Sequence, residues 1–175
     1  MKITIGGQAG VGKGTITRLL AEKYRLRTFS VGYVFRTMAE ERGLTVHEFH
    51  ELVEADSSMN LKLDDRTKEI GQTHTDFIFE GRLAWYCIPD SIKILLDCNL
   101  ETRIKRVASR EKLSYDEAKK YTESRETLTN SWYKKLYGIE NCTDPKHFDV
   151  VIDTTTLTPK EIIEKISEYI EKTKI

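Results

Sequence analysis

The sequence lacks an excess of either charge. Its 28 Lys and Arg balance 28 Asp and Glu, which excludes a nucleic-acid-coating or polybasic membrane-surface protein and points to small partners. No apolar run approaches the roughly 18 residues of a membrane span. The three cysteines, Cys87, Cys98 and Cys142, are odd in number and show no CxxC spacing. Neither a disulfide framework nor a zinc site is therefore expected, and buried apolar packing is. No secretory leader precedes the first strand, which begins at Lys2, so the expected compartment is the reducing cytoplasm. Repeats, low-complexity tracts and linkers are missing too. The 175 residues suffice for one α/β domain, hardly for two.

What the chain does have is a concentration of glycine. Gly7 to Thr15, GQAGVGKGT, puts four glycines and a lysine into nine residues, a composition suited to backbone wrapped closely around phosphate. The apolar run Ile3 to Ile5 precedes it, and a helix-forming run with Leu19, Leu20 and Ala21 follows. The loop therefore joins a buried strand to a helix N-terminus, the P-loop context. Gly7, Gly10 and Gly12 can take positive φ and leave room for phosphate oxygens, and Gln8, Ala9 and Val11 complete the cradle. Free amides at the helix start attract negative charge, and Lys13 adds a mobile cation. Gly14 intervenes before the hydroxyl of Thr15, where the generic motif has Ser or Thr directly after lysine. That variant resembles nucleoside monophosphate kinases.

Further along, Leu26 to Phe29 reads as a second strand and Ser30 as a helix N-cap, placing Arg36 near the cleft. There it would grip a second phosphate or simply be solvated. Residues 44 to 75 read as two helices, with a Thr45–Glu48 capping box, forming a small insertion. His47 and His50 read as surface residues rather than zinc ligands. Asp64, Asp65 and Arg66 make either a salt-linked face or base contacts. Phe77 to Phe79 is a buried strand ending in Glu80-Gly81-Arg82, which delivers a Walker-B-like acid. Thr15 and Glu80 are the candidate magnesium ligands, Glu80 directly or through water. Ile92 to Leu96 is a fourth strand. The helix from about Leu100 aligns Arg103, Arg106 and Arg110 on one face, either as a solvated stripe or with Arg106 and Arg110 facing ATP. A Ser-capped helix over residues 114 to 137 carries Arg125, Lys134 and Lys135. Phe148 to Ile152 is a fifth strand, and Pro159 to Ile170 is a helix that packs by its isoleucines.

Together, GGQAGVGKGT, SVGYVFR, FIFEGRLA, ILLDC with ETRIKRVASRE, and YGIE with FDVVIDT resemble the archaeal-type cytidylate kinases along nearly the whole chain. The resemblance implies a P-loop kinase fold, a five-stranded parallel sheet with helices on both faces. It divides the single domain into a core (1–36, 76–110 and 140–175), an acceptor-binding insertion (about 37–75) and a lid (about 111–137). It implies transfer of the ATP γ-phosphoryl group to CMP or dCMP with magnesium, by a cytoplasmic monomer. Gly12, Lys13, Gly14 and Thr15 would hold the ATP phosphates. Arg36 and Arg82 would hold the acceptor phosphate, Arg106 and Arg110 the donor side, and Arg125 would be a lid arginine. From their chemistry rather than the resemblance, Asp64, Asp65 and Arg66 are the candidates to read the base, a carboxylate accepting from the cytosine amino group and an arginine donating to its carbonyl and ring nitrogen. The chain departs from the family in two places: Tyr33 stands where it usually has Asp, and Thr129, Asn130, Ser131 and Trp132 stand where further lid cations are expected. Either Lys134 or Lys135 substitutes, or the lid is weaker. The rival readings are a kinase for AMP, UMP or a shikimate-like acceptor, and a nucleotide-binding regulator without turnover.

Overall fold

The computed structural model describes residues 1–56 and 58–173, without the side chains of residues 50, 54 and 55. The surface reading of His50 lies outside the described residues. Five parallel strands form one sheet: β1 (Lys2–Gly6), β2 (Arg27–Ser30), β3 (Phe77–Glu80), β4 (Ile92–Asp97) and β5 (Val150–Asp153). Their order is β2-β3-β1-β4-β5. The chain thus leaves β1 for one edge, returns through β3, and crosses to the other side for β4 and β5. The C-terminal end of β1 is the topological switch point, where a crevice opens in such sheets.

The pleat sends alternate residues to opposite faces. Ile3, Ile5, Ile78, Ile94 and Leu96 cluster on one face with Leu20 of α1 (Lys13–Tyr24) and Ile166 and Ile170 of α8 (Pro159–Thr173). Phe77 and Phe79 turn the other way, toward α2 (Val31–Glu40), α4 (Ser58–Thr73) and α5 (Ala84–Cys87). Each phenylalanine is wholly buried, worth roughly 1.5–3 kcal/mol of transfer free energy. Helices therefore cover both faces, as expected. Also present are α3 (Val46–Ala55), α6 (Leu100–Glu111) and α7 (Tyr115–Tyr137), with α6 and α7 joined through Ile104, Val107 and Ala118.

Local chemistry fixes the helix ends. Ser30 accepts from the Tyr33 amide at 3.0 Å, and capping boxes close Thr45–Glu48 and Ser114–Glu117. Two strand boundaries shift from the sequence reading. Leu26 lies between α1 and β2, just past the α1 C-cap Arg25, its amide closing the helix end by donating to the Ala21 carbonyl. Phe148 precedes β5 because its ring fills the space beside Gly6; its apolar character serves packing rather than the ladder. The four-residue α5 and a 3₁₀ turn at Pro145–His147 have no periodic signal and were not expected. Among the described residues no helix is long and apolar enough to cross a membrane, and the three cysteines are buried and free.

Candidate functional site

The loop between β1 and α1 is held open by its own covalent geometry. Gly7, Gly10 and Gly12 take φ of 135°, 86° and 96°. At Gly10 a side chain is excluded twice over: the backbone is left-handed, and a Cβ would lie 2.5 Å from the Arg103 carbonyl of α6. Gly12 is the N-cap of α1 and offers no side chain to cap it, and the first turn carries no acid. The amides at the start of α1 are thus left for an external anion. Lys13 folds back over the loop, its Nζ donating to the carbonyls of Gly7 and Gln8 at 2.7 and 2.8 Å.

Burial pushes the Lys13 ammonium down to about 8, and the charges of Arg82, Arg110 and Arg125 push the same way. Glu80 alone opposes them. Lys13 thus sits in the combined field of three arginines and one carboxylate, a net positive environment suited to a polyanion. Burial raises the Glu80 carboxyl above its ordinary range, while Lys13 and Arg110 resist the rise. Glu80 ends β3 opposite Ile5, in register with the last turn of backbone before the loop, and its Oε2 would lie 3.7 Å from a Cβ placed on Gly14.

Glu80 and Gly14 stand between two cavities and line both. The first, about 490 Å³, runs from Gly10 to Ile16 and is bounded by Arg106, Arg110 and Thr154. Arg106 is knitted into its wall: it donates to Thr154 O at 2.9 Å and to Gly10 O at 3.2 Å. Arg110 is exposed and bonds Glu111 at 2.8 Å. The second cavity, about 540 Å³, is lined by Ser30, Tyr33 and Arg36. A third, about 310 Å³, lies between α4 and α7 and is lined by Asn60, Asp64, Thr67, Thr129 and Tyr133, with Phe79 at its floor.

Asp64 and Arg66 do not meet, contrary to the expectation that they address one base. Two helical residues subtend about 200°, so Asp64 faces the third cavity while Arg66 turns outward to Glu41 and Glu69 at 2.8 and 2.7 Å. Asp65 is exposed and pairs with Lys68. The Asp64 carboxyl is pushed up to about 6, chiefly by burial, although it accepts a hydrogen bond from Tyr137 Oη at 2.8 Å. Of the two alternatives for the lid, the arrangement of the described residues favours a weaker one: Lys134 pairs with Glu140 and, like Lys135, lines none of the three cavities. Arg125 does act on Lys13 and Arg82, and its Nη1 bonds Tyr121 Oη at 3.0 Å.

Three groups escaped the sequence reading. Arg103, at the start of the basic stripe, is buried and paired with Glu126 at 2.5 Å, while also donating to Ala9 O. Thr154 ties β5 to the loop, its Oγ1 lying 2.9 Å from Val11 O. Thr129 accepts from Arg82 Nη1 at 2.7 Å. Only the regular i, i+3 spacing of Arg103 with Arg106 signalled any of them.

A family model described as cytidylate kinase-like matches residues 2–156. The chain is 38% identical over 174 residues to a cytidylate kinase of Methanocella arvoryzae, covering 99% of both chains. It is 42% identical over 158 residues to one of Methanosarcina mazei, covering 88% of this chain and 87% of that one. Among solved structures, shikimate kinase from Acinetobacter baumannii superposes with a TM-score of 0.67 at 16% identity, covering 99% of this chain and 94% of that one, a likeness of fold alone. Motif order, cationic loop and full-length identity agree: the chain belongs to the cytidylate kinase-like family.

Proposed function

We propose that this protein transfers the γ-phosphoryl group of ATP to CMP or dCMP. The observation that carries the reading is the convergence of Glu80, Arg82, Arg110 and Arg125 on Lys13, beside two cavities that share Glu80 and Gly14. ATP phosphates lie along Gly7–Thr15 in the first cavity, with Arg106 fixing the loop wall and Arg110 reaching the donor. The acceptor phosphate is gripped by Arg36 and Arg82, and the base enters the third cavity beside Asp64. A carboxylate there accepts from the cytosine amino group, whereas uracil offers a carbonyl to it and leaves it unpaired.

Phosphoryl transfer of this kind is chiefly positioning and charge stabilisation, so no general base is required. Lys13 follows the charge that develops between β- and γ-oxygens, and its own burial makes that interaction stronger than in water. Closure of α7 over the site excludes water, which favours transfer to nucleotide over hydrolysis. The hard oxygens of Thr15 and Glu80 suit magnesium, which prefers one or two carboxylates together with substrate phosphates; bound there, the ion supplies charge neutralisation and phosphate orientation. In this reading 37–75 is the acceptor-binding insertion, 111–137 the lid and the remainder the core of one domain. The protein acts as a cytoplasmic monomer, in keeping with its buried free thiols.

The test is a coupled assay with ATP and magnesium against CMP, dCMP, UMP and AMP. CMP and dCMP are expected to turn over fastest. AMP leading would refute the assignment of the base cavity, and no turnover with any acceptor would favour a nucleotide-binding regulator.

A further inference from the structure

We infer that Thr129 is a positioning residue for Arg82, orienting its guanidinium in the site without neutralising it; the inference rests on the kinase reading above. Arg82 is half-buried, and burial together with the Arg125 charge disfavours its cationic form. Among the described residues no carboxylate lies within ion-pair reach of it, and its hydrogen bond runs from Nη1 to Thr129 Oγ1 at 2.7 Å. The contrast lies on the same helix. One turn earlier, at i−3 on the same face of α7, Glu126 pairs with Arg103 at 2.5 Å.

A single stripe of α7 thus treats two arginines in opposite ways. Arg103 receives a carboxylate that balances its charge, and becomes a strut between α6, α7 and the loop carbonyl of Ala9. Arg82 receives a neutral acceptor. A carboxylate at 129 would orient Arg82 equally well but would cancel the charge a phosphate needs. A lysine or arginine there would add to the repulsion that Arg125 already exerts. A hydroxyl fixes one of five guanidinium donors and leaves the rest of the fork for bidentate phosphate recognition. The position where the resemblance leads one to expect a further lid cation is therefore the place from which α7 sets the angle of a cation carried by β3's exit.

The experiment compares Thr129→Val, which keeps the shape and removes the acceptor, with Thr129→Ser, which keeps the acceptor. Three quantities are read: kcat and KM for CMP and for ATP, the urea midpoint, and the ¹⁵N guanidinium resonance of Arg82 in the ligand-free protein. Thr129→Val is expected to lose about tenfold in kcat/KM for CMP, the equivalent of one well-oriented hydrogen bond to a charged group. The KM for ATP stays within about twofold and the midpoint is nearly unchanged, as for a half-exposed isosteric change. Thr129→Ser restores kcat/KM to within about threefold of the parent, a loss smaller than one such hydrogen bond. The Arg82 resonance is resolved in the parent and the Ser variant and averaged by rotation in the Val variant. Parental kcat/KM in Thr129→Val would overturn the inference. So would equal losses in Val and Ser that track a fall in the midpoint, since Thr129 would then be packing alone. Should the parent phosphorylate no nucleotide, the kinase reading fails; the resonance comparison still decides whether Thr129 holds Arg82.

Discussion

Replacing Asp64 with asparagine should make the protein more stable at neutral pH and worse at choosing its acceptor. The Asp64 carboxyl is pushed up to about 6 from an ordinary 3.8, with burial the largest cause; Tyr137 and Lys68 favour its ionised form, and neighbouring Asp65 opposes it. The folded state therefore holds this proton more tightly than the unfolded chain. Stability falls as pH rises through the interval from about 4 to about 6, then levels off, because the folded state must ionise a group it prefers neutral. A gap of about two pKa units corresponds to about 3 kcal/mol at the plateau, of which roughly 1.4 kcal/mol develops between pH 5 and pH 7.5. Asparagine avoids that cost and still accepts from Tyr137 Oη, though a neutral acceptor gives back about 1 kcal/mol. The expected gain for Asp64→Asn is thus about 1–2 kcal/mol at pH 7.5, shrinking toward zero or below at pH 5. Urea unfolding of parent and variant at the two pH values measures it. A variant less stable than the parent at pH 7.5, or a difference that does not change with pH, refutes the buried-charge account. In the same preparations kcat/KM for CMP should drop at least about tenfold relative to UMP, as befits a lost polar discrimination.

Two further outcomes are expected. Lys13→Met should fold, since burial already works against the ammonium, yet lose phosphoryl transfer by orders of magnitude, because helix amides alone do not follow charge between β- and γ-oxygens; parental turnover would dismiss the loop as the donor site. Tyr33→Asp should lower the magnesium needed for half-maximal ATP binding, measured by titration calorimetry alongside turnover. It adds a carboxylate at the N-terminal turn of α2, in the cavity it shares with Glu80 and Arg36, and an unchanged or higher requirement would count against that account.

How much of this was legible in the sequence depended on the range of the physics involved. The glycine loop, the strand runs and the Ser30, Thr45 and Ser114 caps are settled by residues within a few positions of one another; the loop and caps appear where the pattern put them, and the strands do so within one or two residues at their ends. The placing of Arg36 and Glu80 by one cavity follows from topology as well, because a residue at the end of a parallel strand, or one to two helical turns beyond it, has few places to go. The base cavity did not follow. It forms where α7 returns across α4, and the partner that distinguishes Asp64 from Asp65 is Tyr137, 73 residues away. Composition gave three adjacent charged side chains equal standing; the helical period then separated them, leaving one against the cavity and two against surface ions. The basic stripe of α6 divides in the same way. Arg103, Arg106 and Arg110 share a face, yet the loop and α7 cover the first, engage the second and leave the third in solvent. Periodicity therefore identifies the face that meets phosphate, and only the partner brought to each arginine decides whether its charge remains for the ligand. An Arg103 paired with a carboxylate supports the loop, and an Arg82 held by a hydroxyl keeps its charge for the substrate. That difference rests on a glutamate and a threonine three residues apart on α7, where the sequence alone shows no more than a helix with an ordinary polar face.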